Sequence, residues 1–393
     1  MSLDNRGFLM PTNKNDSLQP FLAMEIFAKA TKLEQAGHKI CHLELGEPEN
    51  SAAPNVIKAI KNALAYPQKY THAKGKIELR NALVKHYKNQ YNVEVKSENI
   101  IVTLGSSSAF TLAFLAAFEI GDKIAVTRPG YPAYPNIINV LGFKSLEIEL
   151  TANNKWRLRA SDIEKAYKKQ PFSGLLFASP ANPTGASINR EEFEKIIKTC
   201  ERLGVRLISD EIYHGLDYEQ KSITALEFDN NVIIANSFSK YYCMTGMRIG
   251  WLIMPNSLIR KAEILQQNMF ISAPSLSQVA AIAALEEDEY SLANKQQYKE
   301  NRMLLTNGLK ALGFDEVGLA DGAFYVYVNV SKFTNDSLDF CQQMLEKSGV
   351  AATPGADFDR LNGHKYVRFS YAGSHLEIKL ALEKIKDFLS PAH

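Results

Sequence analysis

The chain is poor in cysteine: four among 393 residues, Cys41, Cys200, Cys243 and Cys341, with no CxxC spacing. That excludes a disulfide scaffold and leaves reduced, structural thiols in a cytoplasmic protein as the expectation. Histidine is equally sparse, eight residues without an HExxH pair, so no metal site is expected, and His214 is read as structural. Excess charge is missing too. Lysine plus arginine number 45 against 43 aspartate plus glutamate, a net charge of +2, and no dense basic block is present to track nucleic acid or an anionic membrane. The longest apolar runs, such as residues 109–118 interrupted by Thr111, are about half the ~20 residues a bilayer-spanning helix needs. The opening MSLDNRG lacks the apolar core of a signal peptide. No GxGxxG follows a strand and no P-loop occurs, which argues against a nucleotide-dependent oxidoreductase.

What is present is the composition of an ordinary globular chain, 46% hydrophobic, 10% aromatic and 22% charged, long enough for two or three domains. Phe21, Leu22, Met24, Phe27, Ala30 and Leu33 recur at helical spacing, which predicts a helix over residues 18–36, opened by Asp16-Ser17 and stopped by Gly37. Residues 40–45 read as a strand running into Gly46-Glu47-Pro48, where glycine lets backbone approach a ligand. Helices are predicted at 54–65 and 77–91. From residue 99 the rhythm is short apolar strand, turn, helix: strands at 100–104, 124–127, 175–178, 205–209 and 232–235, with helices from Ala109, after Pro135 and over 190–203. That alternation predicts an α/β fold with a mostly parallel sheet covered by helices on both faces. After residue 254 the texture becomes α+β, with helices at 257–269, 275–285, 289–312, 337–348 and 375–389 and strands at 323–330 and 367–371. The expected division is an arm and helix at 1–45 packing with the small domain, a large domain at 46–286 and a small domain at 287–393.

Ligands in such sheets bind beyond the carboxyl ends of the strands. Gly105-Ser106-Ser107, Asn182, Asp210 and Lys240 each follow a separate strand at that edge. Backbone N–H groups and hydroxyls at Ser106 and Ser107 suit a phosphate, to which Ser237, Ser239 and the Arg248 guanidinium add donors. A buried Asp210 suits a protonated ring nitrogen, Tyr131 an aromatic face, and Asn182 with Tyr213 a phenolic oxygen. Lys240 suits an aldehyde. Phosphate, pyridinium, phenolate and aldehyde together describe pyridoxal 5′-phosphate. Singly, each residue has an ordinary structural explanation; jointly they point to one ligand.

The segments LELGEPEN, YTHAKGKIELR, VTLGSSSAF, RPGYPAYP, SPANPTG, SDEIYHG, NSFSKYYCMTGMRIGW and YVRFSYA occur in this order. With them the chain resembles the class I/II aminotransferases of fold type I, which use pyridoxal 5′-phosphate, from about residue 43 to the end. The resemblance implies a seven-stranded-type sheet and a homodimer with shared sites. It implies that Lys240 forms the Schiff base and then shuttles the proton, that Asp210 pairs with the pyridinium, and that Asn182 and Tyr213 contact the ring oxygen. Tyr131 would stack on the ring, Ser106, Ser107, Ser237, Ser239 and Arg248 would hold the phosphate, and Tyr70 would reach the partner subunit's phosphate. Arg368 would bind the substrate carboxylate beside Gly46 and Asn182. Dicarboxylate-specific members add a cation where this chain aligns Gln267, or at the position of Ser107. Neither is present, so neutral or aromatic amino acids are the expected donors, with a 2-oxo acid as acceptor in a ping-pong cycle, and Lys74 and Lys76 are the nearby cations that bear on this. Within the same fold, a C–S β-lyase or another lyase shares the cradle. A cofactor-sensing regulator is the alternative of a different class, but it would add a DNA-binding module.

Overall fold

The structure is a computed structural model that describes residue 18 and residues 20–390. The Asp16-Ser17 pair and the MSLDNRG start lie outside the described residues. The chain opens with α1 (Leu22–Gln35), a two-residue strand β1 (Cys41–His42), α2 (Pro54–Ala63) and α3 (Ile77–Tyr91). The first helix therefore starts four residues later than its periodicity suggests. Its leading N–H groups have no local cap; Leu22 N and Ala23 N donate to the two carboxylate oxygens of Asp357, at 2.8 and 3.2 Å.

Next come β2 (Ile100–Thr103), α4 (Gly105–Ala117), β3 (Lys123–Arg128), α5 (Ala133–Val140), β4 (Lys144–Glu149), α6 (Ala160–Lys169), β5 (Gly174–Ala178), α7 (Arg190–Leu203), β6 (Arg206–Asp210), β7 (Ile233–Ser237) and β8 (Gly250–Ile253). The seven strands form one sheet in the order β2-β8-β7-β6-β5-β3-β4. Only β8 runs against its neighbours β2 and β7, so β2 and the five remaining strands point the same way. Their carboxyl ends consequently share one edge. The strands read as unbroken apolar runs because both faces are buried: Leu175, Leu207 and Ile234 belong to one apolar cluster, while Leu176, Ile208 and Ile233 belong to the other. Strand β4 and helix α6 escape the sequence reading. In β4 only Ile148 is buried, and KSLEIE on a sheet edge looks like polar loop.

The chain then adds α8 (Asn256–Met269), α9 (Ser275–Glu286), α10 (Glu289–Ala311), β9 (Tyr325–Asn329), α11 (Ser337–Ser348), β10 (Val350–Ala351), β11 (Thr353–Pro354), β12 (Tyr366–Ser370) and α12 (His375–Leu389). Strands β11, β12 and β9 make an antiparallel sheet, and β1 pairs in parallel with β10, which fastens residues 41–42 to the far end of the chain. Helices read at 77–91, 190–203, 337–348 and 375–389 form over those same residues. The helix read from Ala109 instead begins at Gly105, so the serines form its first turn rather than a preceding loop. Among the described residues no helix is long and apolar enough to cross a membrane, and all four cysteines are buried and free.

The segment 355–359 is anchored to the sheet by a buried ion pair. Arg128, at the end of β3 and 5% exposed, donates to Asp359 at 2.5 Å and also meets Glu147 and Glu149 at 3.1 and 3.4 Å. Removing one partner of such a pair leaves an undercompensated buried charge. Asp359→Ala is expected to cost about 3 kcal/mol, read as a fall in the urea midpoint; an unchanged midpoint would show that the two glutamates suffice.

Candidate active site

After β7 the chain leaves the sheet through buried Phe238 and turns Lys240 back over the strand ends. Lys240 Nζ donates to the Gly46 carbonyl at 2.5 Å. Only glycine fits at 46, since a Cβ there would lie 1.7 Å from the Tyr325 hydroxyl. The lysine faces a cavity of about 400 Å³ at the sheet edge. Its amine is packed round by protein, and this desolvation, opposed by Glu47 and reinforced by Arg368 and Arg248, lowers its pKa from 10.5 to about 8.

The predicted residues gather on this wall: Ser106, Ser107, Tyr131, Asn182, Asp210, Tyr213, Ser239, Arg248, Arg368 and Gly46 all line the cavity. Asp210 closes β6 and is 3% exposed; its carboxylate accepts from the Tyr134 hydroxyl and, at 3.1 Å, from Ile212 N. Burial raises its pKa to about 6, against those two hydrogen bonds and Lys240, so it is ionised at neutral pH. The N-terminus of α4 carries no side-chain cap and presents Ser106 and Ser107 to the cavity. Arg248 lies against it: a Cβ at Gly105, which has φ +72°, would sit 2.6 Å from Arg248 Nη2. An uncapped helix end, two hydroxyls and a guanidinium fit a phosphate dianion.

Arg368 is no surface ion-pair residue. It is 2% exposed, sandwiched between the rings of Tyr325 and Phe358 with centroids at 4.3 and 4.8 Å. Its Nη1 donates to Asn182 Oδ1 at 2.9 Å, and its Nη2 to the Glu44 carbonyl and to Thr353 Oγ1. Among the described residues its Nε has no hydrogen-bond partner and no carboxylate ion-pairs with it, which suits a ligand that brings a carboxylate. The donor set thus fits the phosphate, ring nitrogen, aldehyde and carboxylate expected of the ligand.

Two residues of the expected phosphate set do not line this chain's own cavity. Ser237 does not line the cavity directly; 2% exposed, it lies behind the wall, its hydroxyl 2.8 Å from Ser239 Oγ and 3.0 Å from the Ile249 carbonyl. Tyr70 is 82% exposed and lies off this chain's own cavity. His214 does not line the cavity: it is buried, with Nε2 3.1 Å from the Ser179 carbonyl, Nδ1 2.9 Å from Tyr91 Oη, and a pKa lowered by burial to about 4.

Sequence reasoning missed Tyr134, Tyr325 and the wall made by α1. Tyr134 lies within RPGYPAYP, one turn beyond Tyr131. Tyr325 carried no motif, and its hydroxyl lies 2.9 Å from that of Tyr213. Phe21, Met24 and Phe27 close the cavity from α1, with Phe21 edge-on to Tyr131 at 6.0 Å. Their helical spacing marked them only as core.

The family model for aminotransferase class I and II matches residues 39–385. The valine–pyruvate aminotransferase of Mycobacterium tuberculosis is 40% identical over 376 residues, 94% of this chain and 96% of that protein. The aspartate aminotransferase of Pyrococcus horikoshii is 32% identical over 371 residues, 93% of each. Among solved structures, an aminotransferase from Mycobacterium tuberculosis matches with a TM-score of 0.92 at 40% identity, over 95% of this chain and 97% of that one.

The depressed lysine has a direct consequence. Below about pH 8 Lys240 is protonated; between 8 and 10.5 it is the free amine while ordinary lysines remain charged. Reductive methylation of the ligand-free chain with formaldehyde, followed by peptide mass spectrometry, should therefore label Lys240 at a rate that is half-maximal near pH 8 and levels off above it. A rate still climbing toward 10.5 would mean an ordinary, hydrated amine.

Proposed function

We propose, for a chain that belongs to aminotransferase class I and II, that the cavity holds pyridoxal 5′-phosphate covalently through Lys240 and moves the α-amino group of a neutral or aromatic amino acid to a 2-oxo acid in a ping-pong cycle. The family is pyridoxal-phosphate-dependent, and the two relatives named above are aminotransferases of valine with pyruvate and of aspartate. The observation that carries the residue assignment is the convergence of a depressed lysine, a buried aspartate and a buried arginine on one cavity.

The cofactor, when bound, supplies the electron sink for charge developing at the substrate α-carbon. The chain supplies the rest. Ser106, Ser107, Ser239 and Arg248 hold the phosphate, with Ser237 orienting Ser239. Asp210, ionised above about pH 6, keeps the ring nitrogen charged, and Tyr134 fixes the carboxylate. Tyr131 covers the ring face, while Asn182 and Tyr213 address its oxygen. Arg368 takes the substrate carboxylate, with Asn182 and the Gly46 backbone alongside. Lys240 Nζ, once free, carries the proton from the α-carbon, and the burial that lowers its pKa in the ligand-free chain makes the neutral amine accessible as a base.

The side-chain preference rests on counting cations. Among the described residues the cavity wall carries Lys240, Arg248 and Arg368 and no other lysine or arginine. Each has a role above, so this chain offers a distal carboxylate no further cation of its own in its cavity. Gln267 is exposed on α8, and Lys74 Nζ donates to the Glu98 carbonyl, away from the cavity. Phe21, Met24 and Phe27 offer apolar surface instead. The name of the valine–pyruvate relative accords with this.

A homodimer in the cytoplasm completes the proposal. Tyr70 at 82% exposure shares its region with Tyr66, Met269 and Ile271, because Ser275 Oγ donates to Gln68 at 2.9 Å and Gln278 to Thr71 at 2.9 Å. A second copy covering this apolar patch would carry Tyr70 to the neighbouring phosphate. The division at 46–286 and 287–393 is proposed on the same footing, with β1 on β10 tying the arm to the later part.

Lys240→Ala should keep its circular dichroism yet lose the cofactor's visible band and more than about 10³-fold of turnover; normal transamination by this variant would sink the mechanism. In a donor panel scored by conversion of the bound cofactor to its amino form, neutral and aromatic amino acids should exceed aspartate in kcat/KM by at least about tenfold. Aspartate in first place would reverse the substrate assignment.

A further inference from the structure

Tyr325, the first residue of β9, is 1% exposed and stands where several groups of the site meet. Its hydroxyl is 2.9 Å from that of Tyr213, and its ring carries the Arg368 guanidinium 4.3 Å from the centroid. Its oxygen occupies the space a Cβ at position 46 would need, so the backbone that receives Lys240 Nζ is pressed against it. Tyr213 and Arg368 come from distant segments, and Tyr325 is a side chain that both touch.

A phenol has one hydrogen to give. If Tyr213 gives its hydrogen to the cofactor ring oxygen, the hydrogen between Tyr213 and Tyr325 must come from Tyr325. We propose that Tyr325 is a positioning residue that links the carboxylate-binding arginine to the cofactor, its ring seating Arg368 and its hydroxyl strengthening Tyr213 as a donor. This rests on the assignment of Tyr213 and Arg368 above. A donor that itself accepts a hydrogen bond is polarised and donates more strongly. Burial pushes the Tyr325 phenol up and the Arg368 charge pulls it back, which makes Tyr325 the better donor while that charge is uncompensated. A carboxylate on Arg368 cancels the charge. Tyr325 then donates less well, Tyr213 follows, and the cofactor oxygen becomes more basic. Occupancy of the carboxylate site is thereby felt at the ring.

The test uses the holoenzyme and the pH titration of its visible band, with propionate as an unreactive carboxylate probe. Tyr325→Phe keeps the ring and removes the hydroxyl. The titration should move up by about 0.5 pH unit, the size of one neutral hydrogen bond. Propionate affinity should stay within about twofold, while the extra upward shift that propionate causes in the unmodified enzyme shrinks to less than about half. Tyr325→Leu removes the ring as well and should also weaken propionate roughly fivefold. Tyr213→Phe calibrates the scale with a larger shift. If Tyr213→Phe shifts the titration and Tyr325→Phe does not, the link is wrong although the site assignment stands. If Tyr213→Phe leaves the titration in place, the assignment of Tyr213 falls and takes the link with it. Unchanged propionate affinity in Tyr325→Leu would refute the seating of Arg368. A merely structural role for Tyr325 would lower the melting temperature of Tyr325→Phe without moving the titration.

Discussion

Desolvation of charge at one edge of a sheet is the constraint on which the rest of this protein depends. Lys240 loses water to the protein and is left with a carbonyl for company, so its proton is held loosely. A few ångströms of backbone decide this. Gly46 must lack a side chain for its carbonyl to stand there, because Tyr325 already fills the space behind it. The same low-hydration pocket raises Asp210, yet Tyr134 and the Ile212 amide hold it in the ionised range at neutral pH. Opposite shifts on two groups of one cavity are what a site handling protons near neutrality requires.

Arg368 shows how the fold tolerates the reverse case, a permanent cation that cannot shed its charge. Two aromatic faces, a carbonyl, an amide oxygen and a hydroxyl replace its hydration. Among the described residues no carboxylate forms an ion pair with it, although its charge is felt by Asp357. A neutralising partner would cost less in the empty protein and would abolish binding, since an arginine already paired has nothing to offer a ligand. The acidic groups of the same neighbourhood are committed elsewhere: Asp359 to Arg128, and Asp357 to the first N–H groups of α1. Segment 355–359 thereby fixes the wall helix and the Tyr131 loop at once, with Phe358 beneath the arginine.

Much of this was legible beforehand. Alternating apolar strands and helices announced the parallel sheet, because buried parallel strands leave an unmistakable pattern of continuous apolar runs between turn residues. Residues that terminate those strands had to meet at one edge, so Ser106, Asn182, Asp210 and Lys240 could be assembled without coordinates. Strand β4 was not legible, since an edge strand with one buried side chain has almost no hydrophobic signature. Nor was the true start of α1, whose cap comes from a carboxylate 335 positions away.

By itself, then, the amino-acid sequence determined the fold class, the family and the chemical types gathered at the strand ends, because these follow from local periodicity and from the order of the strands. Tertiary structure alone decided which of those groups line the cavity. It turned the Ser237 hydroxyl inward onto Ser239 and Ile249, placed Tyr134 on Asp210, and set Tyr325 between Tyr213 and Arg368. It also made a cavity wall of a helix that reads as ordinary core. The physical reason is the same in each case. A side chain's partner is set by packing between segments far apart in the chain, and hydroxyls and aromatic rings carry no local pattern that says which neighbour they will meet.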